Sequence, residues 1–108
     1  MHIEFRIQNT DPAEVLKGYI ERRLRFALGR FGHRVGQITV RISGNANEIE
    51  CRIASELRPF GKVAVRENDS DLLAAVDRAA GRVGRLFGHE LQRMREARTT
   101  RESIRIAA

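Results

Sequence analysis

The chain has 108 residues, 42% of them hydrophobic, so it can hold one domain with a single small core and is too apolar for a disordered chain. The single cysteine excludes a disulfide framework and a multi-cysteine metal site. The sequence has no apolar run of membrane-spanning length and no apolar block at the N-terminus, so we expect a soluble cytoplasmic protein. The 20 lysines and arginines against 14 acidic residues give a net charge of +6, which favours a polyanionic partner, nucleic acid first and an anionic membrane second.

The N-terminal part of the chain predicts a strand followed by a helix. The segment IEFRIQ at residues 3–8 alternates apolar and polar side chains, which is typical of a half-buried strand. Asp11 and Pro12 are start signals for a helix that we expect to run from Pro12 to about Arg30, and Gly32 is a natural C-terminal cap. The buried stripe of this helix should contain Leu16, Tyr19, Ile20, Leu24, Ala27 and Phe31.

Three further alternating segments predict three more strands. They are QITVRIS at 37–43, EIECRIA at 48–54 and KVAVRE at 62–67, and a short turn separates each from the next. Asp69 or Ser70 should then cap a second long helix.

These elements have the order βαβββα. The first two strands should be parallel because a helix connects them, and the last three should form an antiparallel meander because their connections are short. Both helices must cover the one apolar face of the sheet. The predicted fold class is therefore α+β, a two-layer sandwich of a four-stranded mixed sheet with two helices on one face. We expect residues 1–98 to form this domain and residues 99–108, which have little to bury, to form a flexible tail.

The second helix has two different faces. Positions about 100° apart place apolar residues in one arc and basic residues in an arc roughly opposite. The apolar arc contains Leu72, Val76, Ala79, Ala80, Val83, Phe87, Leu91 and Met94, and the basic arc contains Arg78, Arg82, Arg85, His89 and Arg93. Like charges four residues apart are mildly destabilising, so the basic arc favours phosphate binding over an ordinary solvated face. The unbroken helical period argues against a phosphate-binding loop in this glycine-containing segment.

Gly81, Gly84 and Gly88 lie on the flank between those two arcs. A glycine costs about 1 kcal/mol relative to alanine within a helix, so three on one flank indicate that another backbone comes close. That backbone could belong to the first helix, packed beside this one, which we favour, or to a bound nucleic acid.

The first helix adds basic residues of its own. Arg22 and Arg25 lie on its outer face, and Arg30 and Arg34 lie at its C-terminal end. If the two helices lie side by side on the sheet, their basic faces merge into one patch, which would bind backbone phosphates in a salt-sensitive way.

The remaining residue types give no positive case for an enzyme. The three histidines have no ligand spacing, Cys51 should point into the core, and the acidic residues form no obvious acid–base pair. We therefore expect no catalytic residue, no metal, no cofactor and no small-molecule substrate. Phe60, between basic residues in a predicted turn, could stack on a base, although such a residue more often packs back on its own sheet.

Two segments carry a resemblance to a known family: DLLAAVD at residues 71–77 and, more loosely, YIERRLRFALGRF at 19–31. With the βαβββα order and the basic second helix, the chain resembles the ribosome hibernation-promoting factor and ribosome-associated inhibitor family, also called sigma-54 modulation proteins. The resemblance implies a protein that binds rRNA of the small ribosomal subunit between head and body, occupies the channel for mRNA and tRNA, and silences translation in stationary or stressed cells. The rRNA-binding residues that it implies are Arg22, Arg25, Arg30, Arg78, Arg82, Arg85, His89 and Arg93.

The resemblance also sets the remaining expectations. The chain is too short for the C-terminal dimerisation domain of long family members, so it resembles a short form, and we expect a monomer off the ribosome. Leu73 stands where the family usually has tyrosine. Two alternatives stay open: a module like the double-stranded-RNA-binding domain that acts off the ribosome, and a basic protein-interaction module that binds an acidic partner.

Overall fold

The secondary structure follows the predicted order βαβββα. The structure is a computed structural model that describes residues 1–8, 14–45, 47–59 and 61–107, and for 99–107 the backbone only. Its elements are β1 (Ile3–Gln8), α1 (Glu14–Leu28), a 3-10 segment (Gly29–Arg34), β2 (Val35–Gly44), β3 (Ile49–Leu57), β4 (Lys62–Asp69) and α2 (Leu72–Ala107). The predicted start signals Asp11 and Pro12, and the predicted turn residue Phe60, lie outside the described residues.

The four strands form one mixed sheet in the order β1-β2-β3-β4. β1 and β2 are parallel, with Ile3 opposite Ile38, and α1 makes the connection between them. β2, β3 and β4 are antiparallel neighbours, as their short connections predict. Both the parallel pair and the antiparallel meander are therefore confirmed.

The core lies between the sheet and the two helices, because every second strand residue faces the helix layer. The buried strand residues are Ile38, Val40, Ile42, Cys51, Ile53, Leu57, Val63 and Val65. The helices contribute Leu16, Ile20, Leu24, Leu28, Ala75, Val76, Ala79, Ala80, Val83, Phe87 and Leu91. Six of the eight residues of the predicted apolar arc of α2 are thus buried and the other two, Leu72 and Met94, are partly buried. The α+β two-layer fold is confirmed.

The helix ends differ in detail from the sequence predictions. α1 ends at Leu28, slightly before the predicted Arg30, and the 3-10 segment that follows contains Gly32 with a φ of +55°, a value that favours glycine. The cap of α2 is Asp71, whose Oδ1 accepts a hydrogen bond from the Leu73 N–H at 3.1 Å. The prediction of Asp69 or Ser70 as the cap was therefore wrong, because the helix begins later in this acidic segment.

α2 is longer than the sequence indicated. Its 36 residues make a rod of about 54 Å, and the helical backbone continues beyond residue 98 to Ala107. The division of the chain into residues 1–98 and 99–108 stays a prediction. Among the described residues, no helix is both long and apolar enough to cross a membrane.

Candidate nucleic-acid interface

α1 and α2 are in close contact at Gly84. A Cβ atom at this glycine would be 3.0 Å from the backbone oxygen of Ala27 and 3.2 Å from its Cβ. A Cβ at Gly88 would be in ordinary contact with the Phe31 ring, whose centroid is 4.7 Å from that of Phe87. The packing explanation is therefore confirmed for Gly84, where α1 is the backbone that comes close, whereas Gly88 meets only side chains of the 3-10 segment.

A polar cluster of Tyr19, Arg23 and Asp77 also connects these two helices. The Tyr19 hydroxyl donates a 2.6 Å hydrogen bond to Oδ1 of Asp77, and Nε of Arg23 lies 3.1 Å from the same oxygen. The hydrogen bond to Asp77 is the main cause that raises the pKa of Tyr19, and desolvation adds to it. Asp77, the last residue of the DLLAAVD segment, thus has a structural role in joining α2 to α1.

Between the helices lies an open groove of about 400 Å³, which we call the interhelix groove. It is lined by Arg23, Phe26, Ala27, Arg30, Gly81, Gly84 and Arg85. The Phe26 side chain is 84% exposed, so an aromatic ring faces solvent beside three guanidinium groups. Gly81 has only the Arg85 guanidinium near the position of a Cβ, and its lack of a side chain leaves the groove floor open.

Two of the groove arginines carry uncompensated charge. Within the described part of the chain, neither Arg30 nor Arg85 has a carboxylate within ion-pairing distance, although the Arg30 guanidinium lies 4.7 Å from the Phe31 ring centroid. Guanidinium groups held near an exposed aromatic ring suit an RNA strand, because they bind phosphates while the ring stacks on a base. The groove therefore has the chemistry of a nucleic-acid interface.

The N-terminal half of the basic arc on α2 has a different environment. Arg78 lies 2.6 Å from Oδ2 of Asp69 and 3.6 Å from Glu67, and Arg82 Nη1 lies 2.9 Å from Oε1 of Glu67. The Asp71 backbone N–H and Arg78 together lower the pKa of Asp69. The acidic residues of β4 thus compensate the charge of two arginines for which the sequence of α2 alone indicated no ion-pair partner.

The predicted site residues consequently fall into two groups. Four of them are in ion pairs. Arg25 pairs with Glu21 and Arg93 with Glu90. Arg78 pairs with Asp69 and Glu67, and Arg82 pairs with Glu67. Arg22, Arg30, Arg85 and His89 are exposed and have no ion-pair partner among the described residues. Only Arg30 and Arg85 of the eight line the interhelix groove.

Sequence reasoning missed two members of the groove, Phe26 and Arg23. Phe26 lies outside the apolar stripe of α1 and next to Arg25, and an aromatic residue off the buried stripe among arginines is a signal that could have identified it. Arg23 was less accessible to prediction because its position depends on Asp77, which is distant in sequence.

The structure also shows the environment of the cysteine and of the potential metal ligands. Cys51 is buried in the core, where desolvation, with a smaller effect of Glu67, raises its pKa to about 12. Among the described residues, no group of three or more histidine, cysteine or acidic side chains is arranged to hold a metal ion.

The chain is similar to known proteins in both sequence and fold. Residues 3–95 match the family model described as sigma 54 modulation protein / S30EA ribosomal protein. The structure is similar to the N-terminal domain of Thermus thermophilus Protein Y, with 29% identity, a TM-score of 0.70, and coverage of 81% of this chain and 96% of that one. A ribosomal subunit interface protein from Coxiella burnetii shares the fold at 17% identity, with a TM-score of 0.74 and coverage of 85% and 99%. No curated protein sequence matches the chain significantly.

Proposed function

The chain belongs to the sigma 54 modulation protein / S30EA ribosomal protein family, and from that premise we propose that it is a ribosome-binding inhibitor of translation. In this proposal it occupies the mRNA and tRNA channel of the small subunit and acts by exclusion, without catalysis. The observation that supports it best is the interhelix groove, where Arg30 and Arg85 keep their charge uncompensated beside the exposed Phe26. Such a surface binds phosphates through its guanidinium groups and is sensitive to salt.

The mechanism follows from rigidity and charge. α1 and α2 are fixed to each other at Gly84 and through Asp77, so the backbone positions that carry the groove arginines keep their spacing before RNA arrives. A fixed backbone does not have to be ordered on binding, which favours occupation of a channel that would otherwise hold tRNA or mRNA. Arg78 and Arg82 are already paired with carboxylates of β4, so each would have to give up that ion pair in order to bind a phosphate.

Sedimentation with purified small subunits tests the proposal. The wild-type chain should co-sediment with small subunits at low salt, be released at high salt, and lower the amount of tRNA that the subunits retain. Its absence from the ribosomal fractions at low salt would contradict the proposal. Equally tight binding to a free RNA duplex would instead favour the module that acts off the ribosome.

A matched pair of variants tests the groove itself. Arg30→Glu combined with Arg85→Glu should weaken binding to small subunits at least about tenfold, because two phosphate contacts become repulsive. The control combines Lys17→Glu with Arg58→Glu, which changes the net charge equally at residues outside the groove. Equal losses of affinity in both variants would show that net charge, and not the groove, governs binding.

A further inference from the structure

The face of the sheet opposite the helices carries a row of arginines. Arg6 is in register with Arg41, Arg41 with Arg52, and Arg52 with Arg66, so one arginine from each of the four strands stands in a single line. Adjacent strands are about 4.8 Å apart, which makes the row roughly 14 Å long. We call these four residues the arginine row.

The row faces solvent. Its neighbours in sequence, among them Ile42, Cys51 and Val65, are buried against the helices, and side chains alternate between the two faces of a strand. The side chains of Arg6, Arg52 and Arg66 are 56%, 50% and 59% exposed, and Arg41 is also exposed.

The charge of the row is only partly compensated. Glu4 lies 3.0 Å from Arg6, while Glu50 lies 2.5 Å from Arg52 and 4.0 Å from Arg66. Arg41 has no carboxylate within ion-pairing distance in the described part of the chain. Like charges directly opposite each other on neighbouring strands destabilise a sheet, so a four-strand line of arginines is unfavourable unless an anion lies across it.

The surroundings of the row indicate which anion fits. Shallow concavities of about 740 Å³ and 280 Å³ flank it, and Arg41 and Arg52 line both. The other outward residues of the described strands are small or polar, namely Glu4, Gln8, Gln37, Thr39, Ser43, Glu50, Ala54, Glu56, Lys62, Ala64 and Asn68.

Among the described strand residues, this face therefore offers no aromatic ring to stack on an unpaired base and no apolar side chain larger than alanine to enter a bilayer. Guanidinium groups at regular spacing match a line of phosphates, which is what the sugar–phosphate backbone of structured RNA presents.

We propose that the arginine row is a second RNA-binding surface, which holds the backbone of a structured RNA segment on the side of the molecule opposite the interhelix groove. The inference rests on the proposed function for its class of partner, RNA, but it uses a separate surface. A domain with both surfaces occupied lies between two RNA segments and is held from both sides.

Photocrosslinking at single introduced cysteines tests the row directly. Ala64→Cys places a thiol on the exposed face beside Arg66, and Gly29→Cys places one next to Arg30, where a Cβ would meet no other atom. The native Cys51 is buried and its pKa is raised to about 12, so a thiol-reactive aryl azide attaches only to the introduced residue. Each labelled protein is bound to purified small subunits and irradiated.

The outcomes separate this inference from the proposed function. Crosslinks from both positions to rRNA, at different RNA segments, support the inference. Crosslinks to rRNA from position 29 alone, or from position 64 to ribosomal protein alone, overturn it and leave the proposed function intact. No crosslink from either position, with no co-sedimentation, contradicts the proposed function as well.

Neutral substitutions give an independent measurement. Arg41→Gln combined with Arg52→Gln should weaken small-subunit binding about tenfold and reduce the slope of log affinity against log salt by about one for each phosphate that is no longer bound. Lys17→Gln combined with Arg58→Gln is the control of equal charge. Wild-type affinity and salt slope in the row variant would overturn the inference, and an unchanged urea midpoint verifies that the variant is folded.

Discussion

At the scale of single residues, the contact between the helices depends on the absence of a side chain at Gly84. The backbone oxygen of Ala27 would be 3.0 Å from a Cβ there, and a backbone atom cannot move aside as a flexible side chain can. Gly81, one turn earlier in α2, offers the opposite situation, because a Cβ would meet only the end of the Arg85 side chain at 3.5 Å. The two glycines have different roles although the sequence presents them alike.

We expect the corresponding alanine variants to differ in stability. Gly84→Ala should lower the free energy of unfolding by about 1–2 kcal/mol, because overpacking exceeds the gain in helix propensity. Gly81→Ala should leave it unchanged or raise it by up to about 1 kcal/mol, since only the propensity changes. Urea denaturation followed by circular dichroism measures both. A Gly84→Ala protein as stable as the wild type would show that α1 shifts freely, contrary to a fixed interhelix groove.

At the scale of elements, α2 is a two-faced helix whose basic arc has two different neighbours, β4 and α1. Arg78 and Arg82 lie along β4 and are paired with Glu67 and Asp69, whereas Arg85 faces α1 and the groove. β4 therefore competes with any phosphate for the first two arginines. This competition can be reduced at one residue, Glu67, which contacts both of them.

Glu67→Gln should accordingly release Arg82 from its ion pair, while Arg78 keeps its 2.6 Å contact with Asp69. We expect binding to small subunits to become about two- to fivefold tighter if Arg82 reaches RNA, because a competing carboxylate is removed. Stability should fall by about 0.5–1 kcal/mol, the size of exposed ion pairs. Competition sedimentation against the wild type measures the first effect. Unchanged affinity would assign Arg82 to the β4 contact alone.

The elements themselves were largely predictable from the sequence, because each depends on local periodicity. Alternation located all four strands, and the helical spacing of Val76, Val83 and Phe87 identified the buried face of α2. The contacts that define the site were not predictable in the same way, since Glu67 lies 15 residues before Arg82 and Asp77 lies 58 residues after Tyr19. Helical periodicity describes one element and contains no information on which strand or helix will lie beside it.

The arginine row is a second example of this limit of local patterns. Each of its members is an ordinary outward residue of an alternating strand, and nothing in its own strand distinguishes it. The row exists only because the register of three strand pairs brings one arginine of each strand into line. A shift of one pair by two residues would disperse it without exposing the core.

At the scale of the whole molecule, one sheet and one helix layer separate two positive surfaces. The groove variant (Arg30→Glu with Arg85→Glu) and the row variant (Arg41→Gln with Arg52→Gln) change residues that share no partner. Their losses in binding free energy should therefore add when the two variants are combined, within about 0.5 kcal/mol. Titration of labelled protein with small subunits, for both variants and their combination, measures this. A combined variant no weaker than the groove variant would show that only one surface is in use at a time.

The order of the elements has a consequence for the timing of synthesis. The interhelix groove is built from α1 and α2, which three strands separate in sequence. A chain emerging from the ribosome that makes it folds from its N-terminal side, so α1 is released long before the residues that complete the groove. The groove therefore forms only after α2 has been synthesised, and a nascent chain that lacks α2 has no groove with which to bind RNA.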